Sequence, residues 1–155
     1  MGETPRWLSA SEQNAWRTIV GLHQKLNAAM SRDLQASSKL SGADFQILVA
    51  LTDAPDGRQR FQELAKVVEW EQSRLSHQIA RMTKRGLVTR QDCAEDARGA
   101  FVVITPAGRQ VIEAAAPRHV ALVRRLVIDV LTADELATLA RLSQRVIDRL
   151  EDASE

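Results

Sequence analysis

The sequence predicts a mainly helical protein that carries a small β-hairpin. Most of the chain repeats apolar residues at helical spacing, and strand-like alternation is concentrated in residues 87–105. Long helical patterns at residues 11–36 and 106–151 flank a central lobe at residues 41–105. A chain of 155 residues has the length of one domain with its own core. We therefore expect one domain, residues 1–155, with two terminal helical regions around the lobe.

Composition narrows the class of protein. Apolar residues make up 45% and charged residues 26% of the chain, and no apolar run approaches the roughly 18 residues that a membrane span needs. The first residues lack the pattern of a secretory signal, and the single Cys93 cannot form an internal disulfide. These features predict a cytoplasmic protein with no membrane partner.

The first half of the chain contains three helical patterns. Ser9 and Ser11 are candidate N-caps for the first helix, which should cover residues 11–36. Ser41 and Gly42 mark a break before a second helix, which Pro55 and Gly57 should end. The segment "RQRF" then predicts a minimal strand, and "FQELAKVVEW" predicts a helix of about two turns.

Residues 72–85 predict an amphipathic helix with a basic side. Leu75, Ile79 and Met82 have the spacing of a buried face, and the opposite side should carry Arg74, His77, Gln78, Arg81 and Arg85. The net charge of the whole chain is only +1, but residues 58–90 hold eight Arg or Lys against three Glu. Positive charge is therefore concentrated around this helix.

The second half of the chain predicts a hairpin and two long helices. "LVTRQD" and "AFVVIT" have strand propensity and flank a polar connection. Thr105 and Pro106 suit the N-cap and first residue of a helix that should run to about Leu131. Thr132 and Glu135 form a capping box for the last helix.

This element order predicts a DNA-binding arrangement. In a helix-turn-helix the second helix lies in the major groove, and the hairpin here would be a wing beside it. Arg can contact guanine through two donors, Gln can pair with adenine, and an Arg at the hairpin tip suits the minor groove. The candidate DNA-binding residues are Ser73, Arg74, Ser76, His77, Gln78, Arg81, Lys84 and Arg98, with Asp96 orienting Arg98.

The motifs "SRLSHQIARMTKRGLVTR" and "EDARGAFVVITPAG" resemble the MarR-type winged helix-turn-helix regulators. The family's wing commonly carries Asp-x-Arg, then an apolar strand that ends in Leu-Thr, and then a Gly. The matching positions here are Asp96, Arg98, Val103, Ile104, Thr105 and Gly108. Ile104 replaces the usual Leu, and Ala97 and Gly99 make the wing tip less basic than in many members. The resemblance spans essentially the whole chain.

The resemblance implies a homodimer that binds double-stranded DNA at a pseudo-palindromic site. Residues 11–36 and 106–151 would form the dimerisation region, and the protein would be a repressor released by a small anionic or phenolic effector. Trp16, His23 and His119 are candidates for the effector pocket, and packing in the core or the dimer is the favoured interpretation of Trp16 and His23.

Two alternatives use the same fold. Cys93 would make the protein a redox-responsive regulator, although the nearby Asp92 and Glu95 would tend to raise the pKa of its thiol. A winged helix can also serve as a protein-interaction module that binds no DNA. No catalytic motif or phosphate loop is visible and the three His are scattered, so neither an enzyme, a metal site nor a cofactor is expected.

Overall fold

The computed structural model describes residues 4–92 and 99–153. Within them are six α-helices and a three-stranded antiparallel sheet. The helices are α1 (Ala10–Ser38), α2 (Gly42–Asp53), α3 (Phe61–Val68), α4 (Gln72–Lys84), α5 (Pro106–Leu126) and α6 (Ala133–Asp152), and the strands are β1 (Arg58–Arg60), β2 (Val88–Asp92) and β3 (Ala100–Ile104). The predicted mainly helical fold with a hairpin is confirmed.

Local capping interactions determine where three of the helices begin. Ser9, Ser41 and Thr132 each accept a hydrogen bond from the backbone N–H three residues on, and the acidic side chain there bonds back to the cap. The predicted capping box at Thr132 is confirmed. Such boxes satisfy backbone donors that the first turn of a helix leaves unpaired.

The sheet has the order β1-β3-β2, so β3 pairs with both other strands. Arg58 lies opposite Val103 and Arg60 opposite Phe101, while Val88 lies opposite Ile104. The sequence predicted β2 and β3 as a hairpin and β1 as a minimal strand, without a pairing partner for β1. The structure adds β1 to the hairpin because β3 has a second edge that can form hydrogen bonds.

The chain divides into two compact units, residues 1–115 and 116–155. The first unit contains a continuous core that α2, α3, α4, the sheet and the first half of α5 share. Its fully enclosed side chains include Ile47, Leu48, Leu51, Leu64, Leu75, Ile79, Met82, Val88 and Val102. Burial of Leu75, Ile79 and Met82 confirms the predicted inner face of α4.

The second unit contains the end of α5 and all of α6. The prediction that one helix continues to about Leu131 is wrong, because α5 ends at Leu126 and Ile128–Val130 form a short 3-10 turn. Val127 leaves the helical conformation, and Arg124 donates a 2.8 Å hydrogen bond to Asp129 across the break. No residue of Ala133–Asp152, all of which are described, is buried within the chain.

Candidate nucleic-acid interface

α3 and α4 form a compact helix-turn-helix. α3 ends at Val68, and the N–H of its cap residue Glu69 bonds back to the carbonyls of Ala65 and Lys66. The left-handed backbone of Glu69 (φ 56°) turns the chain after the helix. Trp70 follows with a 2.9 Å backbone hydrogen bond to the carbonyl of Ala65. α4 begins two residues later, so residues 69–71 make the turn. The apolar face of α4 packs into the core, and the opposite face of this helix points to solvent.

The solvent-facing side of α4 holds most of the predicted DNA-binding residues. Ser73, Arg74, His77, Arg81 and Lys84 are exposed, and Ser76 is half-buried. The guanidinium carbon of Arg74 lies 4.0 Å from the centroid of the Trp70 ring, which is a cation–π geometry. Arg74 is therefore held at the first turn of α4 by an aromatic ring that itself packs against the core.

Gln78 lies elsewhere, and the prediction that it shares the exposed side with Arg74 is wrong. Only 5% of Gln78 is exposed. Its Nε2 donates a 2.6 Å hydrogen bond to Oδ1 of Asp44 on α2, and its Oε1 accepts one from Arg81. Helical spacing puts Gln78 on the flank between the basic face and the apolar face, and packing against α2 covers that flank. Its amide is already used within the protein.

Asp44 is a functional candidate that sequence reasoning missed. Asp44 is 1% exposed, and its carboxylate accepts hydrogen bonds from Gln78, from Nη1 of Arg85 at 2.6 Å and from the Ser41 backbone N–H at 2.9 Å. Arg85 also donates to the carbonyl of Lys39 at 3.0 Å. A buried carboxylate needs such partners to offset lost hydration. The sequence feature that could have identified Asp44 is its position three residues after Ser41, which is the spacing of a capping box.

Stacked arginines continue the positive charge onto the sheet. The guanidinium carbons of Arg58 and Arg60 lie 4.7 and 5.1 Å from the centroid of the Phe101 ring, and that of Arg90 lies 5.2 Å from the Phe61 ring. Arg58 and Arg60 alternate along β1 and so share a face, which is the one sequence signal for this cluster. Their stacking on Phe101 depends on strand pairing.

Comparisons with known proteins agree with this geometry. A model of the MarR family matches residues 38–99. AbsC, a MarR family transcriptional regulator from Streptomyces coelicolor, is 38% identical over 96% of this chain and 99% of its own, with a TM-score of 0.91. The chain belongs to the MarR family of transcriptional regulators.

Two further MarR family structures were solved with DNA. A regulator from Streptomyces coelicolor in complex with DNA is also 38% identical, with 96% of this chain and 93% of that chain covered and a TM-score of 0.91. A mutant MarR from E. coli complexed with operator DNA is 28% identical, with 84% and 91% covered and a TM-score of 0.75.

In this MarR family member, the Thr-x-x-Gly motif at the end of β3 joins α4 to α5. The Thr105 hydroxyl donates a 2.6 Å hydrogen bond to the carbonyl of Gly86, just after α4, and accepts one from the Gly108 N–H at 3.0 Å. A Cβ on Gly108 would lie 2.1 Å from the carbonyl oxygen of Leu87. The close approach of these two backbones therefore requires glycine at position 108.

Several of the predicted site residues are not part of the exposed face of α4. Asp96, Arg98 and Cys93 fall outside the described residues, so the predictions about the wing tip and the thiol are not tested. Trp16 and His23 are exposed on α1, where His23 Nε2 lies 3.1 Å from Nδ2 of Asn27. His119 is half-buried in α5. Their grouping in an effector pocket stays a prediction.

Among residues 4–92 and 99–153, no three His, Cys, Asp or Glu side chains are grouped as metal ligands would be. In the same part of the chain, no helix is both long enough and apolar enough to cross a membrane.

Proposed function

We propose that this MarR family member binds double-stranded DNA sequence-specifically and regulates transcription as a homodimer. The observation that carries the proposal is the exposed basic face of α4, where Arg74 and Arg81 point away from a packed helix-turn-helix. An arginine on a groove-binding helix can donate twice to guanine, whereas Lys84 suits phosphate. The relatives solved in complex with DNA support this reading.

The homodimer is supported by apolar side chains that the single chain leaves in water. On α1, Trp16, Ile19 and Leu22 are each more than half exposed. On α6, the exposed apolar residues are Leu139, Leu142, Val146, Ile147 and Leu150. A helix with one continuous apolar side normally buries it against a partner. We infer that a second copy covers these faces, as expected for a symmetric dimer.

A dimer places two copies of α4 on the same duplex. Successive major grooves on one face of DNA are about 34 Å apart, so a pseudo-palindromic site would match the two-fold symmetry of the protein. We propose that the protein acts as a repressor and that a small anionic or phenolic effector releases it. Such an effector would have to bind two conformations of the protein with different affinities. It would bind more tightly to the conformation in which the distance between the two α4 helices does not match the DNA.

Salt-titrated binding tests the function directly. The purified protein is measured against the DNA immediately upstream of its own coding region and against an unrelated duplex of equal length. The proposal expects tighter binding to the upstream DNA, and an affinity that falls steeply with salt because phosphate contacts release counterions. If no duplex is bound at low salt, the proposed function is wrong. Sedimentation of the same protein then tests the dimer.

Selection from random DNA tests sequence specificity when the upstream region is bound no better than the control. A library of random duplexes is selected through several rounds and its enriched sequences are aligned. Enrichment of a two-fold symmetric motif supports the proposal. Tight binding without any enriched sequence would contradict sequence-specific recognition and leave a regulator that binds DNA through phosphates alone.

A further inference from the structure

Arg81 is connected to the protein interior through a chain of hydrogen bonds. The buried carboxylate of Asp44 accepts from Nε2 of Gln78, and Oε1 of Gln78 accepts from Nη2 of Arg81. Asp44 is 1% and Gln78 5% exposed, whereas Arg81 is exposed. The chain of contacts thus runs from the first turn of α2 to the solvent-facing side of α4.

The donor and acceptor groups of the Gln78 amide determine the direction of these hydrogen bonds. A carboxylate accepts hydrogen bonds only, so the NH2 end of Gln78 must face Asp44. The carbonyl oxygen of the same amide then points the other way, towards Arg81, which can only donate. Each group therefore fixes the orientation of the next, and Oε1 of Gln78 accepts the hydrogen bond from Arg81.

We propose that Gln78, oriented by Asp44, is a positioning residue that holds the Arg81 guanidinium ready for DNA. The inference rests on the proposed function. A guanidinium has five N–H donors, and bonding one of them to Gln78 leaves donors for a base edge or a phosphate. A free arginine loses rotamer freedom on binding, and an arginine that is already held loses less of it.

The orientation of α4 does not depend on Gln78. Leu75, Ile79 and Met82 are fully buried against the core, and Arg85 separately joins the end of α4 to Asp44 and to the Lys39 carbonyl. Replacing Gln78 by Met keeps a long unbranched side chain in the same space and removes both hydrogen bonds. Asp44 keeps the contacts of its Oδ2 with Arg85 and Ser41 but loses the partner of its Oδ1, so the variant should be less stable than the wild type while the buried apolar face still orients α4. The helix should therefore stay in place while Arg81 is released.

A double-mutant cycle tests the inference. DNA affinity is measured for the wild type, Gln78→Met, Arg81→Ala and the double variant, with the upstream duplex or, at low salt, an unrelated duplex of equal length. Gln78→Met should weaken binding by about three- to tenfold in the wild-type background, the cost of ordering one long side chain. In the Arg81→Ala background it should change nothing, because the side chain that it positions is gone.

Gln46→Met is the matched control. Gln46 lies on α2, and its amide donates to the Val68 carbonyl at 3.4 Å without touching an arginine of α4. This variant should bind DNA like the wild type. Gln78→Leu serves as a second substitution at the same position. Urea denaturation of every variant shows which of the proteins are folded at the assay temperature.

The outcomes separate the inference from the proposed function. An equal loss of affinity from Gln78→Met with and without Arg81 would mean a purely structural effect and overturn the inference. No loss in the wild-type background, for the Met and the Leu variant alike, would also overturn it. A wild type that binds neither duplex overturns the proposed function itself, and the inference with it.

Discussion

The guanidinium carbon of Arg74 lies 4.0 Å from the centroid of the Trp70 ring, and Trp70 packs against the core. Arg81, about two turns further along α4, is held by Gln78 instead. The two arginines on the exposed side of α4 are thus restrained by different neighbours, one aromatic and one amide. Restraint before binding lowers the entropy lost on contact with a ligand.

Arg74→Ala should relax the base preference of the protein. If Arg74 reads a base, its loss costs about 1–3 kcal/mol at one position of the site and little elsewhere. Competition binding with duplexes that differ at single positions measures this. Arg125→Ala removes an exposed charge from the end of α5 and should leave the preference intact. A uniform loss of affinity for every duplex would assign Arg74 to phosphate instead.

Lys84→Ala should weaken binding to all duplexes by a similar factor. An ammonium group contacts phosphate as a point charge, and one lost contact reduces the slope of log affinity against log salt by about 1. Titrations at several salt concentrations give the slope. An unchanged slope would show that Lys84, although exposed, does not reach the DNA.

Thr105→Val should lower the free energy of unfolding by about 1–3 kcal/mol. The substitution keeps the shape of the side chain but removes the N-cap of α5 and the donor to Gly86. Urea denaturation gives the change. Thr89→Val, at an exposed position of β2, should stay within about 0.5 kcal/mol of the wild type. Similar losses from both variants would contradict the assigned contacts.

Val146→Glu should dissociate the proposed homodimer. Val146 is 60% exposed in the single chain and lies on the apolar side of α6, so a carboxylate there would be buried unpaired in the dimer. Sedimentation equilibrium measures the dissociation constant, which should rise at least tenfold. Arg141→Glu changes a charge on the polar side of the same helix and should have a much smaller effect. A Val146→Glu dimer as tight as wild type would place the interface elsewhere.

Much of the fold could be predicted because its signals are local. Capping residues such as Thr132, the apolar repeat of Leu75, Ile79 and Met82, and the strand alternation of residues 87–105 all act within a few residues along the chain. These interactions specify the order of helices and strands whatever surrounds them. The exposed positions of Arg74, His77 and Arg81 followed from the same periodicity.

Tertiary structure decided which polar side chains at the edge of a helix or sheet face are buried and which partners they contact. Helical spacing puts Gln78 at the edge of the basic face of α4, and packing against Asp44, 34 residues earlier, buries it. The pairing of β1 with β3 and the stacking of Arg58 on Phe101 likewise join distant segments. A one-dimensional pattern specifies which side chains share a face, whereas a buried polar contact depends on which other element arrives with a complementary group. Because α2 and α4 meet there, the Gln78 amide forms hydrogen bonds with Asp44 and Arg81 inside the protein.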